Sequence, residues 1–115
     1  MAYKILYFDE ARLDIQEAKL WYRTQLKGLE RRFAEDIKNA ILRLKERPSV
    51  HAIRYQNIRI AHPDVFPYSV HFYIDEENKT VVIISIVHNS RDPLFTQERT
   101  SILNEPDAEY VSSTK

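Results

Sequence analysis

The chain contains no cysteine. Disulfides and thiolate chemistry are therefore excluded, and a reducing, cytoplasmic setting fits. It contains one glycine, Gly28, in 115 residues. A glycine-rich phosphate loop cannot be built from a single glycine, so the common nucleotide-binding fingerprints are excluded as well. No apolar run approaches the length of a membrane span, and the N-terminus lacks the basic and then apolar pattern of a signal peptide, so no membrane partner is expected. Net formal charge is zero. That argues against avid, sequence-independent binding to nucleic acid, because phosphate neutralisation needs clustered cations. The four histidines, His51, His62, His71 and His88, show no short ligand spacing. With no thiolate beside them, they point to no metal and to no cofactor.

What is present is unevenly spread. Residues 12–59 hold twelve Lys/Arg against six Asp/Glu, a local +6. Residues 60–115 hold four against nine, a local −5. Most of these charges read as solvated faces and an acidic tail. Taken together, the basic half also suits an acidic partner.

Period then separates two kinds of structure. "YKILYF", residues 3–8, is rich in β-formers and reads as a first strand. Asp9 stands where a helix N-cap belongs, with Glu10 in the first turn. Ala11, Ile15, Ala18, Tyr22 and Leu26 recur at helical spacing and predict a helix to about Gln25. Trp21 and Tyr22 read as packing residues of that helix. Gly28 suits the tight link to a second helix, Leu29 to Arg47, striped by Phe33, Ile37, Ala40, Ile41 and Leu44 and stopped by Pro48. After Pro48 the period falls to two. Strands are predicted over His51–Ala61, Phe66–Asp75 and Thr80–Val87, with a turn at "EEN". The last strand is apolar on both faces and so belongs inside the sheet.

The expected fold is α+β: an N-terminal strand, a helical hairpin, then a three-stranded antiparallel meander, in the order β-α-α-β-β-β. One domain spans residues 1–96, and an acidic, loosely ordered tail spans residues 97–115.

The stretch "VVIISIVHNSRDP", residues 81–93, is the least expected in the chain. An apolar strand runs straight into His88, Asn89, Arg91 and Asp92. On the predicted hairpins, residues near 59, 68 and 86 fall level across three strands. His88, Asn89 and Arg91 then emerge beside Phe66 and Pro67, close to Arg59. Arg91 and Asp92 equally suit a cap on the turn before Pro93, and His88 equally suits a strand end.

Residues 3–95 resemble the RelE/ParE superfamily of bacterial toxins from type II toxin–antitoxin modules. The resemblance rests on "YFDEARLDIQEAKLWY", "FAEDIKNAILRLKERPSV", "IRI", "FPYSVHFYID" and above all "VVIISIVHNSRDP" with its His-x-x-Arg-Asp ending. It implies the toxin of a plasmid-stabilisation module, a cognate antitoxin as partner, and a homodimer or a toxin–antitoxin hetero-oligomer. Two mechanisms belong to the superfamily. RelE-like members cleave messenger RNA on the ribosome, which needs a base, an acid and a cation for the phosphorane. ParE-like members poison DNA gyrase. The nucleases usually carry arginine after the middle-strand aromatic, where this chain has Ser69 after Tyr68. They often carry a late tyrosine, where this chain has Phe95. The pattern therefore favours a ParE-like gyrase poison over a RelE-like nuclease or a non-toxic, antitoxin-binding relative. His88 and Arg91 are the catalytic candidates if there is catalysis. Arg59, Tyr68, Asn89, Arg91 and Phe95 are the candidates for contact with the target.

Overall fold

A computed structural model describes residues 2–90. Chain order is β1 (Lys4–Tyr7), α1 (Asp9–Gln25), α2 (Leu29–Leu44), a 3-10 turn (Pro48–Val50), β2 (Ile53–Tyr55), β3 (Ile58–Ala61), β4 (Tyr68–Asp75) and β5 (Thr80–His88). The five strands form one sheet in the order β1-β5-β4-β3-β2. Strand β1 runs parallel to β5, pairing Lys4 with Thr80 and Tyr7 with Ile83, and every other pair is antiparallel. The α+β fold is as expected from the change of period, and β5 takes the interior position its two-sided apolarity requires.

The helical hairpin turns on Gly28, whose φ of 90° lies in the left-handed region that side chains avoid. A Cβ there would meet nothing within 4 Å. Glycine is needed for the backbone angle and not for space. Helix α2 is strongly amphipathic and buries Phe33, Asp36, Ile37, Ala40, Ile41 and Leu44. Helix α1 fully buries only Ala11 and Tyr22. The core joins both helices to the sheet through an aromatic cluster. Phe33 meets Tyr22, Phe66 and Tyr68 with ring centroids 5.2, 5.4 and 4.9 Å away.

Four details depart from the sequence reading. The N-cap of α1 is Phe8, without a side-chain bond, and Asp9 is the first helical residue. There Asp9 and Glu10 still complement the helix dipole. Helix α2 ends at Leu44 and not at Arg47, because Lys45 and Glu46 tighten into i→i+3 bonds and the residue before Pro48 leaves the helical region at φ −145°. The predicted strand 51–61 is two strands, β2 and β3, separated by a turn at Gln56 and Asn57. Gln56 holds φ 48° without being glycine, so no composition signal marked it. The register is also offset. Arg59 pairs with Phe72, Ala61 with Val70, and Val70 with Ile86, so the β3–β4 turn is centred two residues later than expected. Asp36 explains the offset. Its buried carboxylate accepts the N–H groups of Asp64, Val65 and Phe66 at 3.1, 2.9 and 2.7 Å and gathers the loop over α2.

The predicted tail, 97–115, lies outside the described residues. No helix among the described residues is long and apolar enough to cross a membrane.

Candidate functional site

The far ends of β4 and β5 bring the predicted residues together. Tyr68 pairs directly with His88, and their rings meet edge to face at 5.1 Å. The chain beyond β5 is held against the loop before β4, since Asn89 N–H donates to Pro67 O at 2.9 Å. Ser69 Oγ donates to Asn89 Oδ1 at 2.6 Å. His62 Nδ1 lies 3.0 Å from the Tyr68 carbonyl, an acceptor, so that nitrogen carries the proton and Nε2 the lone pair. His88 is locked the other way. Its Nδ1 accepts from Ser90 N at 3.1 Å and lies 2.8 Å from Ser90 Oγ, so the neutral ring presents Nε2–H.

Tyr68, His88 and Asn89 therefore converge as the sequence suggested. Arg59 does not join them. Four residues along β4 separate its partner Phe72 from Tyr68, roughly 13 Å of strand. Its guanidinium donates to the carbonyls of His51 at 2.6 Å and Ser49 at 3.2 Å, which fixes the turn after α2. The placement of Arg59 beside the strand ends is thus corrected by the register. Arg91 and Phe95 lie outside the described residues.

Sequence reasoning missed the wall opposite His88. A cavity of about 490 Å³ opens between α1 and the end of β5, lined by Glu10, Leu13, Asp14, Glu17, Ala18, Trp21, Tyr68, Ile86, Val87 and His88. Strand β1 stops at Tyr7, where the chain enters α1, and so the outer edge of β5 past Ile83 has no strand partner among the described residues. Asp14 fills that gap, its Oδ2 accepting the Ile86 N–H at 2.9 Å. Trp21 was expected to pack. It is 56% exposed, resting edge-on against buried Tyr22 with centroids 5.0 Å apart. The available signal was spacing: residues 10, 14, 17 and 21 recur every three or four positions and share one helix face.

A second concave surface lies on the other side of α1. Ile5, Tyr7, Ile15, Ile37, Ile41 and Leu42 form its apolar floor, with Lys19, Lys38 and Lys45 on the rim. The same lysines 19 and 38, with Arg23 and Arg31 and also Glu30 and Glu35, line a further hollow beside it. Burial pushes the Tyr7 hydroxyl above its ordinary value, partly opposed by the Arg12 guanidinium 5.1 Å from the ring centroid.

Solved structures that share this fold include chains of bacterial toxin–antitoxin systems. A chain of the chromosomal ParDE toxin–antitoxin system from P. aeruginosa superposes with a TM-score of 0.63 at 20% identity, covering 76% of this chain and 96% of that one. The toxin–antitoxin complex RelBE2 from Mycobacterium tuberculosis gives 0.56 at 23% identity, covering 76% and 99%. The isolated E. coli RelE toxin gives 0.55 at 16% identity, covering 89% and 100%. No curated protein matches the sequence. The chain shares its fold with these three structures. The family model for the ParE toxin of type II toxin–antitoxin systems matches residues 5–93, and the chain belongs to that family of toxins.

Proposed function

We propose that this toxin acts on a protein target, DNA gyrase in the ParE-like reading, and not as a ribosome-dependent nuclease. One observation carries the choice. The cavity that holds Tyr68 and His88 is lined by Glu10, Asp14 and Glu17. Carboxylates repel a phosphodiester and attract the cationic side chains of a protein partner. His88, with Nδ1 accepting from Ser90 N, presents Nε2–H as a hydrogen-bond donor to whatever enters the cavity. Ser69, which stands where the superfamily's nucleases usually have arginine, is occupied with Asn89.

The test is induction without antitoxin, followed by parallel assays of the DNA-damage response and of message integrity. Damage signalling with intact messages is expected. Ribosome-dependent cleavage with no damage response would establish the RelE-like alternative, and no growth arrest at all would leave the non-toxic relative. Of the two candidates that the resemblance implies, Arg91→Ala is expected to cost more toxicity than His88→Gln. A fixed guanidinium can hold a carboxylate or phosphate by two parallel bonds, whereas a gyrase poison needs no proton transfer. Toxicity lost only in His88→Gln would reverse the assignment.

The partner in the pair is a cognate antitoxin, which we place on the lysine-rimmed side of α1. An acidic amphipathic helix fits its apolar floor and lysine rim, and β1, an edge strand among the described residues, offers backbone to an added strand. Co-purification with the neighbouring gene product tests this, and the absence of a complex at micromolar concentration would contradict it.

A further inference from the structure

The acidic cavity defines the chemistry of what enters it. We propose that it is a docking groove for a short amphipathic helix of the protein target, one that carries lysine or arginine two turns apart around an apolar anchor. This rests on the protein-target reading above and deepens it.

Three observations set those terms. The first is charge. Glu10 and Glu17 are exposed and stand seven residues apart on one face of α1, about 10.5 Å along the axis at 1.5 Å per residue. Cations spaced by two turns on a facing helix meet both carboxylates. The second is apolar surface. Leu13 and Trp21 are 54% and 56% exposed on that face, although each is large enough to fill a core position. An exposed tryptophan beside a cavity is an anchor for a partner's apolar side chain. The third concerns the backbone. Asp14 holds the Ile86 N–H, the donor an added strand would need at this edge. The groove is therefore closed to strand addition and open to side chains, which selects a helix over an extended segment. His88, with Nε2–H presented, adds one donor on the β5 side.

Both glutamates are exposed, so reversing them leaves the core untouched. The experiment uses the full chain purified from its antitoxin complex, with purified DNA gyrase as the probe. Binding of wild type, Glu10→Lys/Glu17→Lys and Trp21→Ala is measured at two salt concentrations, alongside antitoxin capture for each. The double reversal is expected to weaken gyrase binding by at least about tenfold, because like charges now face each other. Trp21→Ala is expected to weaken it too, and added salt to weaken wild type more than the reversal. Antitoxin capture should be unchanged in both. If the reversal binds gyrase as wild type does, the groove proposal is wrong while the gyrase reading stands. If wild type does not bind gyrase and cleaves messages on ribosomes, the protein-target reading fails and the groove proposal falls with it.

Discussion

Helix α1 has two unlike sides. One carries Ile15, Lys19 and Arg23 and looks across to α2 over an apolar floor rimmed with cations. The other carries Glu10, Asp14, Glu17 and Trp21 and faces the end of β5 across an acidic cavity. Helix α2 shows no such division: its apolar stripe and Asp36 are buried, and most of its other charged residues are exposed. The difference follows from burial. A helix that fully buries only Ala11 and Tyr22 keeps most of its circumference for other molecules. Large apolar residues left more than half exposed, Leu13, Leu20 and Trp21, add less to folding than a core position would and suit an interface.

The comparison can be broken at the core that both sides share. Phe33→Ala removes the ring that joins α2 to Tyr22, Phe66 and Tyr68. A loss of about 3–5 kcal/mol is expected for a buried phenylalanine. Chemical denaturation would show it, and antitoxin and target binding should fail together. Asp36→Ala acts more locally. It strips the acceptor from three backbone N–H groups and should cost about 2–3 kcal/mol. Because that loop precedes β4, binding at the Tyr68–His88 end should suffer more than binding on the lysine-rimmed side. Asp14→Asn keeps an oxygen for the Ile86 N–H but removes its charge, so about 1 kcal/mol is expected in the same assay.

The smallest effect is a pH dependence that belongs to neither side. His51 is held below its ordinary 6.5, first by burial and then by Arg43, His62 and Arg59. A base with a depressed folded value binds protons more readily when unfolded. Stability is therefore complete above pH ~6.5 and falls as the pH drops through that value toward the folded one. His51→Gln should flatten the profile over this range while leaving the neutral-pH midpoint nearly unchanged. An unaltered slope would show that other groups set it.

The two sides of α1 were unequally visible in the sequence. Helices, β4 and β5 follow from apolar period, and the pairing of Tyr68 with His88 lies two residues from the level with 86 read from the "EEN" turn. The lysine-rimmed side was anticipated by the local +6. The acidic side was not. Glu10, Asp14 and Glu17 have helical spacing, but on a helix such residues ordinarily face water, and only the departure of β1 after Tyr7 turns them toward a strand edge. Asp36 was hidden for a similar reason. A carboxylate between apolar stripe positions reads as solvated until a loop thirty residues away brings its N–H groups to it. Arg59 was misplaced by the same loop, since nothing local in "AHPDVFPY" states where the turn will be centred.

The claim that the two sides serve two partners is tested most directly by reciprocal charge reversal in cells. Glu10→Lys/Glu17→Lys and Lys19→Glu/Lys38→Glu are each induced with and without antitoxin, and growth is followed. The account predicts that the first variant is no longer toxic yet still captures antitoxin. The second should remain toxic and escape neutralisation. A single variant that loses both properties while remaining folded, or an exchange of the two outcomes, would contradict it.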